Sequence, residues 1–147
     1  MVNLCAFEED CREVSKTAAA ILARLADSDG VSSPAFYNSV IRDVASLEQK
    51  WERHLRLLSE ISLSTEPTAL AQFEKDAVGI AGELASRSSA GWARTPELGV
   101  RTVRLKVADT LTSLLIFVDR ERGGVRAAVQ RARNRNVHVP AMQSAVA

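Results

Sequence analysis

An all-α fold of four long amphipathic helices is what this sequence predicts, and three observations predict it. Apolar residues recur at alternating spacings of three and four along four separate stretches, which places each set on one narrow stripe of an α-helix. Two of those stretches open on a hydroxyl residue and a proline, Ser33-Pro34 and Thr95-Pro96. The hydroxyl caps the helix, and the proline sits where its missing N–H costs nothing. Glycine and proline are scarce, at seven and four in 147 residues, so little interrupts helix. This length accommodates one domain with a sizeable core. Short polar loops between such helices give an up-down antiparallel bundle. Because the stripes are narrow, a coiled-coil subunit completed by other chains is the alternative.

The first helix is expected over about 4–26, with Leu4, Phe7, Cys11, Val14, Ala18, Ile21 and Leu25 on its stripe. Glu8, Glu9 and Asp10 suit the positive end of its dipole, and Asp27 to Gly30 stops it. The second helix, 34–61, organises the rest. Tyr37, Val40, Val44, Leu47, Trp51, His54, Leu58 and Ile61 hold the 3-4 alternation throughout, with His54 the one polar member. The third, 67–87, carries Leu70, Phe73, Ala77, Ile80 and Leu84. Gly79 and Gly82 each cost it about 1 kcal/mol against alanine, which close contact with a neighbouring helix would offset. The fourth, 96–122, presents Val100, Val103, Val107, Leu111, Leu114 and Val118, with Leu105, Leu115 and Ile116 widening the face. Gly123-Gly124 ends or kinks it. A short basic helix over 125–135 and a mobile tail over 136–147 complete the chain, so that 1–135 forms a single helical domain.

Net charge is near zero but unevenly placed. Residues 1–30 hold three basic and six acidic groups, residues 31–93 six and eight, and residues 94–147 ten and four. The basic end therefore looks for an acidic partner, either the N-terminal helix of the same fold or an external polyanion. Arg126, Arg131, Arg133 and Arg135 are the candidate contacts to such a partner. Interleaved acids and the lack of aromatic residues for base stacking weigh against nucleic acid.

Cys5 and Cys11 lie six apart on one helix, about 120° around and about 9 Å along its axis, too far for a bridge. Reduced cysteines, an acidic N-terminus unlike a signal peptide and no membrane-length apolar run together give a cytoplasmic expectation.

Local motifs for chemistry are absent. The chain has no glycine-rich phosphate loop, no HExxH, no paired ExxH and no CxxC, so the sequence predicts no catalytic, cofactor or metal residues. His54 reads either as a pH-sensitive group or general base, or as a polar seam residue that sets register. The register reading is favoured, since no second catalytic group stands near it in the sequence.

The segment Trp92-Ala93-Arg94-Thr95-Pro96-Glu97 resembles the Trp-Ala-Arg-Ser-Ile-Glu stretch of the first subunit of the biogenesis-of-lysosome-related-organelles complex. Ala35-Phe36-Tyr37-Asn38 resembles that family's Ala-Tyr-x-Asn motif, in the same order. Ser88 to Gly91 departs from the family's Gly-Asp-Val-Glu-Asn, and Pro96 replaces an aliphatic residue. The resemblance implies a non-catalytic coiled-coil subunit of a cytosolic assembly acting on endosomes and lysosomes.

The functional expectation is a helical protein-interaction subunit, an adaptor or scaffold, that meets other chains through Val44, Leu47, Trp51, His54, Leu58, Leu111, Leu114 and Val118. The alternatives are an export or assembly chaperone holding a client on the apolar stripe, and nucleic-acid binding through the arginine segment.

Overall fold

The computed structural model describes residues 4–27, 34–65, 68–88 and 99–146, with side chains over 4–26, 35–65, 68–88 and 104–135. The described residues are almost wholly helical and contain no strand. We label the helices α1 (Leu4–Asp27), α2 (Pro34–Ser64), α3 (Ala71–Ser88) and α4 (Gly99–Val146). Each packs against its neighbours in the chain, and α1 also closes against α4, so the four make an antiparallel ring. The direction is read from side-chain pairs. Along α1 from Arg24 through Glu13 to Asp10, the partners on α2 are Asp43, Lys50 and His54. Trp51 and Glu48 of α2 meet Ala77 and Ser88 of α3. Phe73 and Arg87 of α3 meet Phe117 and Thr110 of α4.

The stripes meet one another inside this ring. All eight α2 residues from Tyr37 to Ile61 are buried, as are Phe7 through Leu25 on α1, Ala77, Ile80 and Leu84 on α3, and Val107 through Val118 on α4. Each large aliphatic side chain removed from water here contributes about 1.5–3 kcal/mol. Expected positions before residue 104 on α4, and the loop carrying Trp92 to Glu97, lie outside the described side chains. Among the described residues no helix is long and apolar enough to cross a membrane.

Several boundaries differ from expectation. Helix α2 runs on to Ser64 because the hydroxyls of Ser64 and Thr65 donate to the carbonyls of Glu60 and Ile61, which holds the last turn together. Helix α3 starts at Ala71, not 67, with the Leu70 carbonyl accepting from the Glu74 amide. Helix α4 does not stop or divide at Gly123-Gly124. The expected basic helix over 125–135 is its continuation, and the expected tail carries the same helix to Val146. The stripe continues past the glycines through Val125, Ala128 and Val129, all buried, and this burial offsets their helix cost. Gly124 has its own reason: a Cβ there would overlap the ring of Phe73.

Gly79 and Gly82 have no such reason. Both are exposed, and a Cβ at either would meet nothing within 4 Å, so the close helix contact expected around them is not found. Gly79→Ala and Gly82→Ala should each stabilise the bundle by about 0.5–1 kcal/mol, read as a higher urea midpoint at unchanged slope. Leu105 and Ile116 likewise do not widen the core face, being 57% and 59% exposed.

Candidate functional site

Polar side chains from three helices converge at one level of this apolar interior. Helix α1 supplies Asp10 and Cys11, α2 supplies His54, and α4 supplies Glu121. All four are buried, His54 and Glu121 completely. The stripe periodicity brings them there. His54 follows Trp51 by three residues on the buried face of α2, and Glu121 follows Val118 by three on that of α4. Asp10 is three beyond Phe7 and adjoins Cys11, on the inner side of α1.

The imidazole of His54 is held at both ends. Its Nδ1 lies 2.6 Å from Oδ2 of Asp10, and its Nε2 lies 2.6 Å from Oε1 of Glu121. Both contacts are slightly shorter than the roughly 2.7–2.9 Å of charge-assisted N–H···O hydrogen bonds, and a histidine donates from both nitrogens only as imidazolium. Trp51 and Phe7 stack on the ring, with centroids 4.6 and 5.2 Å away. Such aromatic faces favour a cation. Trp51 is itself fixed, since its indole N–H donates to the Ala77 carbonyl at 2.9 Å.

Burial disfavours the imidazolium, but the hydrogen bonds and charges of Asp10 and Glu121 outweigh it and raise the His54 pKa from 6.5 to about 9. Glu121 is also raised. Loss of water around it is the main cause, the hydrogen bond and charge of His54 oppose it, and the like charge of Asp10 adds to it. These two directions pull against each other, because a protonated His54 should hold Glu121 ionised. The imidazolium form satisfies both short contacts with two ionised carboxylates, whereas a neutral ring needs one carboxyl to carry the proton. One Glu121 oxygen, Oε2, is buried with no hydrogen-bond partner. The Cys11 thiol is pushed upward by burial, then by the carboxylates of Glu121 and Asp10. Arg53 reaches towards the outer Asp10 oxygen, Oδ1, at 3.9 Å from an exposed position.

Cys11, His54 and Glu121 each present a ligand-type atom, and these atoms lie within 4.8 Å of one another. The sequence motifs predicted no metal residues, yet the fold assembles a Cys/His/Glu set from three helices. Sequence motifs miss such a cluster for a simple reason. Local motifs report ligands on one element, whereas these residues are brought together only by packing.

The eight residues expected at a partner interface fare differently. Val44, Leu47, Trp51, His54, Leu58, Leu111, Leu114 and Val118 are between 0 and 3% exposed within this chain alone. They are the bundle's own interior, and the stripe a chaperone would offer to a client is covered. His54 has two acidic neighbours that the sequence reading did not supply. Of the four arginines, Arg126 forms an ion pair with Glu8 of α1 at 2.7 Å, as expected of a basic end beside the acidic first helix. Arg131, Arg133 and Arg135 are exposed, past Val129, the last buried position among the described side chains.

Fold and site together define an antiparallel four-helix bundle with an ionic layer buried across three of its helices. No known protein family, curated protein or solved structure matches the chain.

Proposed function

We propose that this chain is a non-catalytic helical interaction subunit, an adaptor or scaffold in a cytoplasmic assembly, whose binding surface is the outer face of α4. The observation that carries this reading is the pair Leu105 and Ile116, both more than half exposed. They are eleven residues apart, which is about three turns with roughly 20° of residual rotation, so they lie on one line along α4 about 16 Å long. The inner stripe of the same helix is committed to the core, so these two apolar side chains, with the exposed Asp109, Thr112 and Ser113 between them, are free to meet another chain. Its adaptor character also accords with the resemblance of Ala35 to Asn38 to a coiled-coil assembly subunit.

The test is the double variant Leu105→Glu/Ile116→Glu, compared with the parent by sedimentation in extract of the source cell. The parent should travel in a larger species and the variant as a monomer, with equal helical content by circular dichroism. Both proteins sedimenting as monomers would remove the basis of the proposal.

A second reading rests on a separate observation, the exposed arginines beyond Val129. In this reading the end of α4 binds a polyanion such as nucleic acid. Binding should weaken steeply with added salt and be lost when Arg131, Arg133 and Arg135 are changed together to glutamine. No measurable binding at low salt would dispose of it.

A further inference from the structure

We propose that Cys11, His54 and Glu121 form an internal site for one divalent transition-metal ion of the zinc class, with Asp10 as the residue that orients the imidazole. Three observations lead there. The three residues supply a sulfur, a nitrogen and a carboxylate oxygen within 4.8 Å of one another, all from buried side chains. This mixture is the donor set that zinc prefers, whereas magnesium and calcium take oxygen alone. The Glu121 oxygen Oε2 is buried and has no partner, which is costly for a carboxylate and is resolved by a cation. Finally, the outer arrangement of a metal-bound histidine is already in place: Nδ1 of His54 faces Oδ2 of Asp10 at 2.6 Å, leaving Nε2 turned to Glu121.

Closure requires little movement. Bonds of about 2.0–2.3 Å to a tetrahedral ion put neighbouring donor atoms roughly 3.3–3.7 Å apart. The Nε2 to Oε1 contact opens from 2.6 Å to admit the ion, and the sulfur draws in from no more than 4.8 Å. The two oxygens of Glu121 are too close together to span two vertices, so the three residues fill three positions and a solvent molecule takes the fourth. The charge also balances. Before binding, Asp10 and Glu121 are carboxylates, His54 is imidazolium and Cys11 is a thiol, a net of about one negative charge. A doubly charged ion that displaces the Nε2 proton and the thiol proton leaves that net charge unchanged. Both protons pass to solvent, and no electron is transferred.

Cys11 helps to line a groove of about 170 Å³ between α1 and α4, whose lining sets the acidic Asp119 beside the basic Arg12 and Arg122. The ring of His54 is fully buried between two stacked aromatics, which leaves no room for an organic ligand. The site's role is therefore structural, tying α1, α2 and α4 together at one level.

The experiment uses the full chain, stripped with chelator and titrated with Co2+ and then with Zn2+. We expect one equivalent of Co2+ to bind, with the thiolate-to-cobalt charge-transfer band and the visible bands of a tetrahedral ion. Zn2+ should displace it and raise the melting temperature. Cys11→Ala should abolish the charge-transfer band, Glu121→Gln should weaken binding, and Asp10→Asn should weaken it about 10–100-fold. Cys5→Ala, at an exposed position on the same helix, should change nothing. Should Glu121→Gln or Asp10→Asn disturb folding, the Cys11→Ala spectrum decides alone, because alanine is readily accepted at a small buried helical position. The proposal is overturned if the parent shows no charge-transfer band, or if that band survives Cys11→Ala. These outcomes are independent of whether the outer face of α4 binds another chain.

Discussion

Replacing Trp51 with alanine lowers the unfolding free energy by about 3–5 kcal/mol and the melting temperature by roughly 10 °C. The size follows from what the side chain does. Trp51 is the largest fully buried residue among those described, and none of its surface reaches solvent. Its ring stacks on His54 and meets the edge of Phe117 with centroids 6.0 Å apart. Its N–H is satisfied by the Ala77 carbonyl, so α2, α3 and α4 all register on one side chain. Truncation leaves a cavity that three rigid helices cannot collapse into, and it uncovers one side of a charged imidazole. Trp51→Phe keeps an aromatic face towards His54 but loses the hydrogen bond and some volume, so it should fall between the two. Thermal unfolding followed at 222 nm checks the series. An alanine variant melting within about 2 °C of the parent would mean that the ring does not occupy this position.

The same residue marks how far the sequence can be read. Trp51, Leu47 and Leu58 are identifiable as interior from spacing alone, because a helix fixes which side chains share a face. Spacing does not say what covers that face. The narrow stripes are compatible with a partner chain, and only the closed ring of α1, α2, α3 and α4 assigns the covering to this chain itself. His54 stood out as the one polar member of its stripe, but its meaning lay on other helices. Glu121 occupies the next 3-4 position after Val118, and Val125 and Ala128 follow it at spacings of four and three. A signal was therefore present, hidden because Gly123-Gly124 reads as a stop. Asp10 was harder to recognise. Among Glu8, Glu9 and Asp10 all three suit a helix start, and only the rotation of α1 turns Asp10 inward while Glu9 stays exposed. Rotation and relative height are set by packing, and neither is a property of any one helix. The orientation of Leu105 and Ile116 was lost for the same reason: a stripe widened by three residues on paper is narrowed by the neighbours that fit beside it.

His54→Leu should cost about 3–5 kcal/mol at neutral pH when measured by urea unfolding with chelator present. The cost comes mainly from what remains. Asp10 and Glu121 would face each other across an apolar side chain with no cation between them, and Glu121 already has one oxygen unpaired. The triple variant Asp10→Leu/His54→Leu/Glu121→Leu removes all three charges and should recover most of that loss, or exceed the parent, since buried ion groups seldom outperform apolar packing. The difference between parent and triple variant should also depend on pH, with a sign the geometry dictates. His54 is raised from 6.5 to about 9 in the fold, so the stability it contributes is complete below 6.5 and is lost as pH rises through about 9. Glu121, raised by burial, acts in the same sense: its contribution is present below 4.5 and declines as pH rises. The parent should therefore lose stability relative to the triple variant between about pH 6 and about pH 10, against the usual expectation that a buried histidine is a liability in acid. A flat difference over that range would place a neutral imidazole in the core. One of the two 2.6 Å contacts would then need its proton on the carboxyl side, which makes Glu121 the donor and leaves the layer without its cation.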